Sequence, residues 1–169
     1  NGKSAQMYEF LLNEQCPSWL YQVKKGATTI WEHWDGLKDD GSMWSADMNS
    51  FNHYAYGAIG EWMYRAMAGI EADSEHPGFK HAILYPRIGG NLKYTAGKYH
   101  SIYGDVGVKW EVQGTQILLT VQIPVNTTAQ IRLDQAKAVV KSDGLTFTKA
   151  ADYMSAEAGS GTYHIVFEQ

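Results

Sequence analysis

The sequence predicts a chain of mixed class, an α-helical first part followed by an antiparallel β-sandwich. Three observations carry this reading. Apolar residues between Ser50 and Ile70 recur at the helical period. Those between Val106 and Ile123 alternate with polar ones, the period of a strand with one buried face. Composition also shifts: five of six tryptophans and five of six methionines precede residue 71, whereas eight of ten threonines follow residue 90. We therefore expect two units, 1–76 and 77–169.

Short helices are expected over Ala5–Glu14, which stops before Pro17, and over Trp19–Lys25, which ends at Gly26. Ser50–Ile70 reads as the main helix, capped by Asn49 or Ser50, with His53 entering at its N-terminus. His53, Gly57, Gly60 and Tyr64 would share one face, and Glu61 and Arg65 would pair at i,i+4. Glu71–Gly78 is a polar connector and Lys80–Tyr85 a short strand before Pro86. Val106–Val112 and Ile117–Ile123 make a hairpin about Gln113-Gly114-Thr115. Ala129–Leu133, Ala138–Val140 and Tyr163–Phe167 supply further strands, the second followed by a turn at Ser142-Asp143-Gly144.

Across 169 residues, 44% are hydrophobic and 19% charged, which permits a packed core. A net charge of −4 argues against nucleic acid or an anionic membrane as partner. No apolar run approaches the ~20 residues of a bilayer span. Cys16 is the sole cysteine, so neither an internal disulfide nor a cysteine zinc site is expected. Asp35, Asp39 and Asp40 lack the D-x-D-x-D-G spacing of a calcium loop, and no metal or cofactor is expected. The sequon at Asn126 reads as a polar loop. The chain opens on Asn1 rather than Met and without a signal peptide, which suggests a fragment or a processed product; the compartment stays open.

The stretch from Gly26 to His53 carries the chemistry. Glu32 lies between Trp31 and Trp34, and Trp44 follows in a polar loop. Apolar sugar faces pack on indole rings, and a carboxylate between such rings can take a proton or oppose positive charge at an anomeric carbon. Taken alone, Glu32 reads more readily as a surface or capping residue and His53 as a structural histidine, and the three tryptophans read equally as packing residues.

The longer motifs separate these readings. GATTIWEHWDG (26–36) and SFNHYAYGAIGEWMYR (50–65) resemble the end of the catalytic domain of bacterial α-L-rhamnosidases, glycoside hydrolase family 78. PGFKHAILYPRIGGNLKYTAGKYHSIYGDVGVKWE (77–111) resembles the opening of that family's C-terminal β-sandwich, and SGTYHIVFE (160–168) its ending. The resemblance covers most of residues 17–133 and the last ten.

It implies the last helices of an (α/α)6 toroid, too large to fit in this chain, followed by the sandwich. It also implies hydrolysis of terminal α-L-rhamnose from glycosides with inversion, using an acid and a base ~6.5–9.5 Å apart. Glu32 maps to the general base and His53 to the rhamnose pocket, with Trp31, Trp34 and Trp44 as candidate walls. The family's general acid lies upstream and has no counterpart in residues 1–16, so the chain alone is expected to be inactive. Helix faces around Phe51, Ile59, Trp62 and Met67 are expected to be exposed and to favour self-association. Two other readings remain: a carbohydrate-binding sandwich using Tyr94, Tyr99 and Tyr103, with Trp110 turned into the core, and a toroid glycosidase acting on another sugar.

Overall fold

A computed structural model of the chain describes residues 2–169. It divides into two compact units, Asn1–Glu61 and Trp62–Gln169.

The first unit holds α1 (Ser4–Leu12) and α2 (Trp19–Lys24), then a long irregular stretch, then the start of α3 (Ile59–Trp62). The Ser18 side chain caps α2 by accepting from the Tyr21 amide at 3.0 Å. Tyr21 and Gln22 of α2 are buried and reach into the irregular stretch. Tyr21 Oη donates to Leu37 O at 2.8 Å, and Gln22 Nε2 donates to His33 O at 3.2 Å. With little regular structure to pair its backbone, the unit relies on such side chains and on aromatic packing. Phe10, Trp19 and Trp34 meet edge to face, the two indoles 4.9 Å apart at 90°. Burial of the Tyr8 ring pushes its phenol up to about 12.

The expected helix over Ser50–Ile70 is present only in its second half. Residues 50–58 form turns and bends because their backbone groups are already committed. Glu32 N donates to Ser50 O at 2.9 Å, His53 N to Ile30 O at 2.8 Å, and Thr29 Oγ1 donates to Phe51 O. Those bonds leave no i→i−4 ladder for this segment. Gly57 and Gly60 also weaken the helical alternative. His53 therefore lies in a loop six residues ahead of α3, and its expected shared helix face with Gly57, Gly60 and Tyr64 does not form.

In the second unit, Met63–Ala68 is a π-helical turn closed by Gly69 in the left-handed region at φ 76°. A Cβ on Gly69 would lie 2.0 Å from Pro86 N, so only glycine fits there. Arg65 pairs with Glu71. Ile59 and Met67, expected on exposed helix faces, are instead buried.

Ten strands follow: β1 (Ile70–Ala72), β2 (His81–Leu84), β3 (Tyr94–Ser101), β4 (Gly104–Gln113), β5 (Gln116–Ile123), β6 (Thr128–Asp134), β7 (Ala138–Lys141), β8 (Thr148–Lys149), β9 (Tyr153–Ala158) and β10 (Gly161–Glu168). They form two five-stranded sheets, ordered β1-β2-β6-β9-β8 and β3-β4-β5-β10-β7. Every strand pairing is antiparallel except β2 with β6, which run parallel in the register His81↔Thr128 to Leu84↔Ile131. β1 pairs with β2, so the sheet begins upstream of residue 77.

The core is built by alternation. Val106, Val108 and Trp110 point inward from β4, Leu119 and Val121 from β5, Ile131 and Leu133 from β6, and Ile165 and Phe167 from β10. Trp110 is 0% exposed, as its place in the alternation predicts, and its indole N–H donates to Met67 O at 2.8 Å. That bond satisfies the ring's one polar atom, so the largest residue of the core is buried at no hydrogen-bonding cost.

Candidate active site

Glu32 occupies the irregular stretch of the first unit, where two chain segments lie side by side. Segment 30–32 is bonded to segment 50–53 through the backbone contacts described above. The Ser50 amide donates to Glu32 Oε2 at 3.0 Å. One carboxylate oxygen is thus fixed by main chain, an acceptor role that suits an ionised carboxylate. The other, Oε1, lies 4.0 Å from His33 Nε2. The side chain is partly exposed, so the group is both held and reachable.

The three indoles take different positions. Trp31 is 3% exposed and packs edge-on to Phe51, with ring centroids 5.1 Å apart, while Gly36 lies against its ring. Its faces are covered within the unit, so it supports the backbone beside Glu32 and presents no wall to a ligand. Trp34 stacks on Tyr56 at 3.9 Å and 21° and keeps part of its surface exposed. Trp44 is 41% exposed and stacks on the His33 imidazole at 3.8 Å and 18°.

His53 is partly exposed, and its Nδ1 accepts from the Ala55 amide at 3.1 Å. In the neutral ring the proton therefore resides on Nε2, which is left as a donor. Its ring lies parallel to Tyr54, which is 88% exposed.

Sequence reasoning did not single out His33 or Tyr56, and it read Asn49 and Ser50 only as candidate helix caps. Among the described residues, the buried side-chain polar atoms without a hydrogen-bond partner are His33 Nε2 and Asn49 Oδ1. One belongs to the residue after Glu32, the other to the residue before Ser50. Unsatisfied buried polar atoms are costly and concentrate at functional sites. The available signal was the WEHW run itself, whose histidine falls between two indoles in sequence.

Residues 1–67 match the family model of the bacterial alpha-L-rhamnosidase 6 hairpin glycosidase domain, and residues 69–147 that of the bacterial alpha-L-rhamnosidase C-terminal domain. The chain belongs to the bacterial α-L-rhamnosidases. It corresponds to a C-terminal portion of these glycoside hydrolase family 78 proteins, the end of the helical domain followed by the sandwich.

An α-L-rhamnosidase of Streptomyces avermitilis is 38% identical over 165 residues, 96% of this chain and 16% of the relative. One from Formosa agariphila is 39% identical over 149 residues, 87% of this chain and 16% of the relative. The chain thus spans about a sixth of the curated rhamnosidases it matches. Among solved structures, the Streptomyces avermitilis α-L-rhamnosidase complexed with L-rhamnose aligns with a TM-score of 0.88 at 36% identity, over 98% of this chain and 16% of that one. The α-L-rhamnosidase of Dictyoglumus thermophilum aligns with a TM-score of 0.84 at 28% identity, over 99% of this chain and 19% of that one.

Proposed function

We propose that this chain is the C-terminal part of an inverting α-L-rhamnosidase and supplies its general base, Glu32. The carrying observation is the Glu32 carboxylate, with one oxygen tied to the Ser50 amide and the side chain partly exposed. Family membership supplies the reaction class.

In this reading Glu32 takes a proton from water as the water's oxygen attacks the anomeric carbon. The bond to the aglycone oxygen breaks on the opposite face, where a carboxylic acid from elsewhere in the longer protein protonates it. The Ser50 amide fixes the carboxylate's direction, so one oxygen is aimed before substrate arrives. His53 donates from Nε2 to a rhamnose hydroxyl, since Nδ1 is taken by Ala55. Trp34 and Trp44 line the approach, and Trp31 stiffens the segment from behind. Rhamnose-bearing glycosides or oligosaccharides are the substrates in this reading; the Streptomyces avermitilis relative has been crystallised with L-rhamnose.

The test uses a full-length rhamnosidase carrying this segment. Glu32→Gln should lower kcat by about three orders of magnitude or more on an aryl α-L-rhamnoside, with unchanged circular dichroism. Sodium azide should partly restore Glu32→Ala, giving a β-rhamnosyl azide, because the small anion needs no base. Near-normal activity of Glu32→Gln would remove Glu32 from the role.

A further inference from the structure

In the second unit, the single parallel pairing brings two chain entrances to one end of the sandwich. β2 and β6 start in register, so the turn at Pro77–Phe79 and the loop at 124–127 lead into the sheet side by side. Between them lies a cleft of about 350 Å³, within the range of small-ligand sites.

Its polar side chains are held by one another. His81 Nδ1 is 2.7 Å from Thr128 Oγ1. Lys80 Nζ donates to Asn126 O at 2.5 Å. His76 Nδ1 is 2.7 Å from Asp73 Oδ2, and the Glu75 amide donates to Asp73 Oδ1 at 3.0 Å. The hydrogen bonds from His76 and from the Glu75 amide hold the Asp73 carboxyl below the usual carboxylate range. It stays ionised at neutral pH and balances the Lys80 ammonium. Lys80 keeps donors beyond the Asn126 bond, while His76 Nε2 and Thr128 Oγ1 add acceptor capacity; His81 Nε2 faces Glu157 Oε2 at 3.8 Å.

Beside Lys80, the Tyr103 ring centroid is 5.2 Å from Nζ. Ile102 and Val125 are 85% and 73% exposed on the two neighbouring loops.

We propose that this cleft binds an uncharged sugar residue. Each sugar hydroxyl both donates and accepts, which matches a lining of donors and acceptors whose formal charges cancel. The exposed apolar rim suits a sugar's C–H face. An anion would meet Asp73 as well as Lys80. The inference stands independently of the role of Glu32.

The test titrates the 169-residue chain, labelled with nitrogen-15, with L-rhamnose and D-galactose, and separately with D-galacturonate and inorganic phosphate. At least one neutral sugar should shift the amides of residues 73–81 and 125–128 saturably, with millimolar affinity. His76→Ala and Thr128→Val, both at exposed side chains, should each weaken binding by about five- to tenfold without loss of spectral dispersion. The proposal is overturned if neither neutral sugar shifts these amides, or if both variants bind as the parent does. It is also overturned if galacturonate or phosphate binds more tightly than the neutral sugars and loses affinity in Lys80→Met, which would make the cleft an anion site.

Discussion

At the scale of single residues, Trp110 and Trp44 mark the two uses this chain makes of indole. Trp110 is sealed in the sandwich with its N–H satisfied. Trp110→Ala should cost about 3–5 kcal/mol through cavity formation and an orphaned Met67 carbonyl, read as a shift in the urea midpoint. Trp44 is exposed and stacks on His33. Trp44→Ala in a full-length rhamnosidase should leave stability within about 0.5 kcal/mol of the parent. It should lower kcat/KM by roughly tenfold, because the ring that orients His33 beside Glu32 is gone. A variant with unchanged kcat/KM would reduce the stack to surface packing.

At the scale of elements, the turn after β7 is tied to β10 through one carboxylate. Asp143 Oδ2 accepts from the His164 amide at 2.8 Å, and that bond is the main reason its carboxyl is held low, with help from Lys141 and His164. A depressed carboxyl stabilises the fold above the unfolded value of about 4, and this contribution is lost as pH falls through the folded value. Asp143→Asn should therefore lower stability slightly at neutral pH and make it fall less steeply below about pH 4, with parent and variant converging in strong acid, measured by fluorescence at graded pH. The effect should be small, because the group is solvent-screened.

Elements with strong alternation, β4, β5, β6 and β10, were legible in the sequence because large apolar residues fall on one face. β3 and β9 were not. β3 is polar along most of its length, and β9 turns Met154, Ala156 and Ala158 one way, two of them too small to signal. Apolar period correctly found the helix at 59–68 and wrongly extended it back to Ser50, because hydrogen bonds to residues 29–32 are invisible in a one-dimensional pattern. The same blindness hid Ser50 as the partner of Glu32. Glu32 and the tryptophans stood out by type and spacing, but the roles expected of them rested on the resemblance of the longer motifs, and the burial of Trp31 required the packing of Phe51 and Gly36.

At the scale of the whole molecule, two compact units predict separable behaviour. Residues 62–169 contain a complete apolar core, and this piece alone should unfold cooperatively in a thermal melt. The intact 169-residue chain should not hydrolyse an aryl α-L-rhamnoside, since the proposed reaction needs an acid from the remainder of the protein. Glu32-dependent turnover would sink that expectation. Val23, Met48 and Tyr54 are exposed on the first unit, and light scattering should show concentration-dependent association of the chain.

The bonds that join residues 30–32 to 50–53 have a consequence for divergence among relatives. They clamp both ends of the intervening stretch, so Glu32, the proposed base, is anchored at the neck of a loop rather than along it. Doubling the length of such a loop costs only about 0.6 kcal/mol. The exposed residues 38–43 and 46–48 thus have room to lengthen, shorten or change composition while the Glu32 carboxylate keeps its bearings. In the proposed reaction, that loop can change to suit other leaving groups while the chemistry at its neck stays in place.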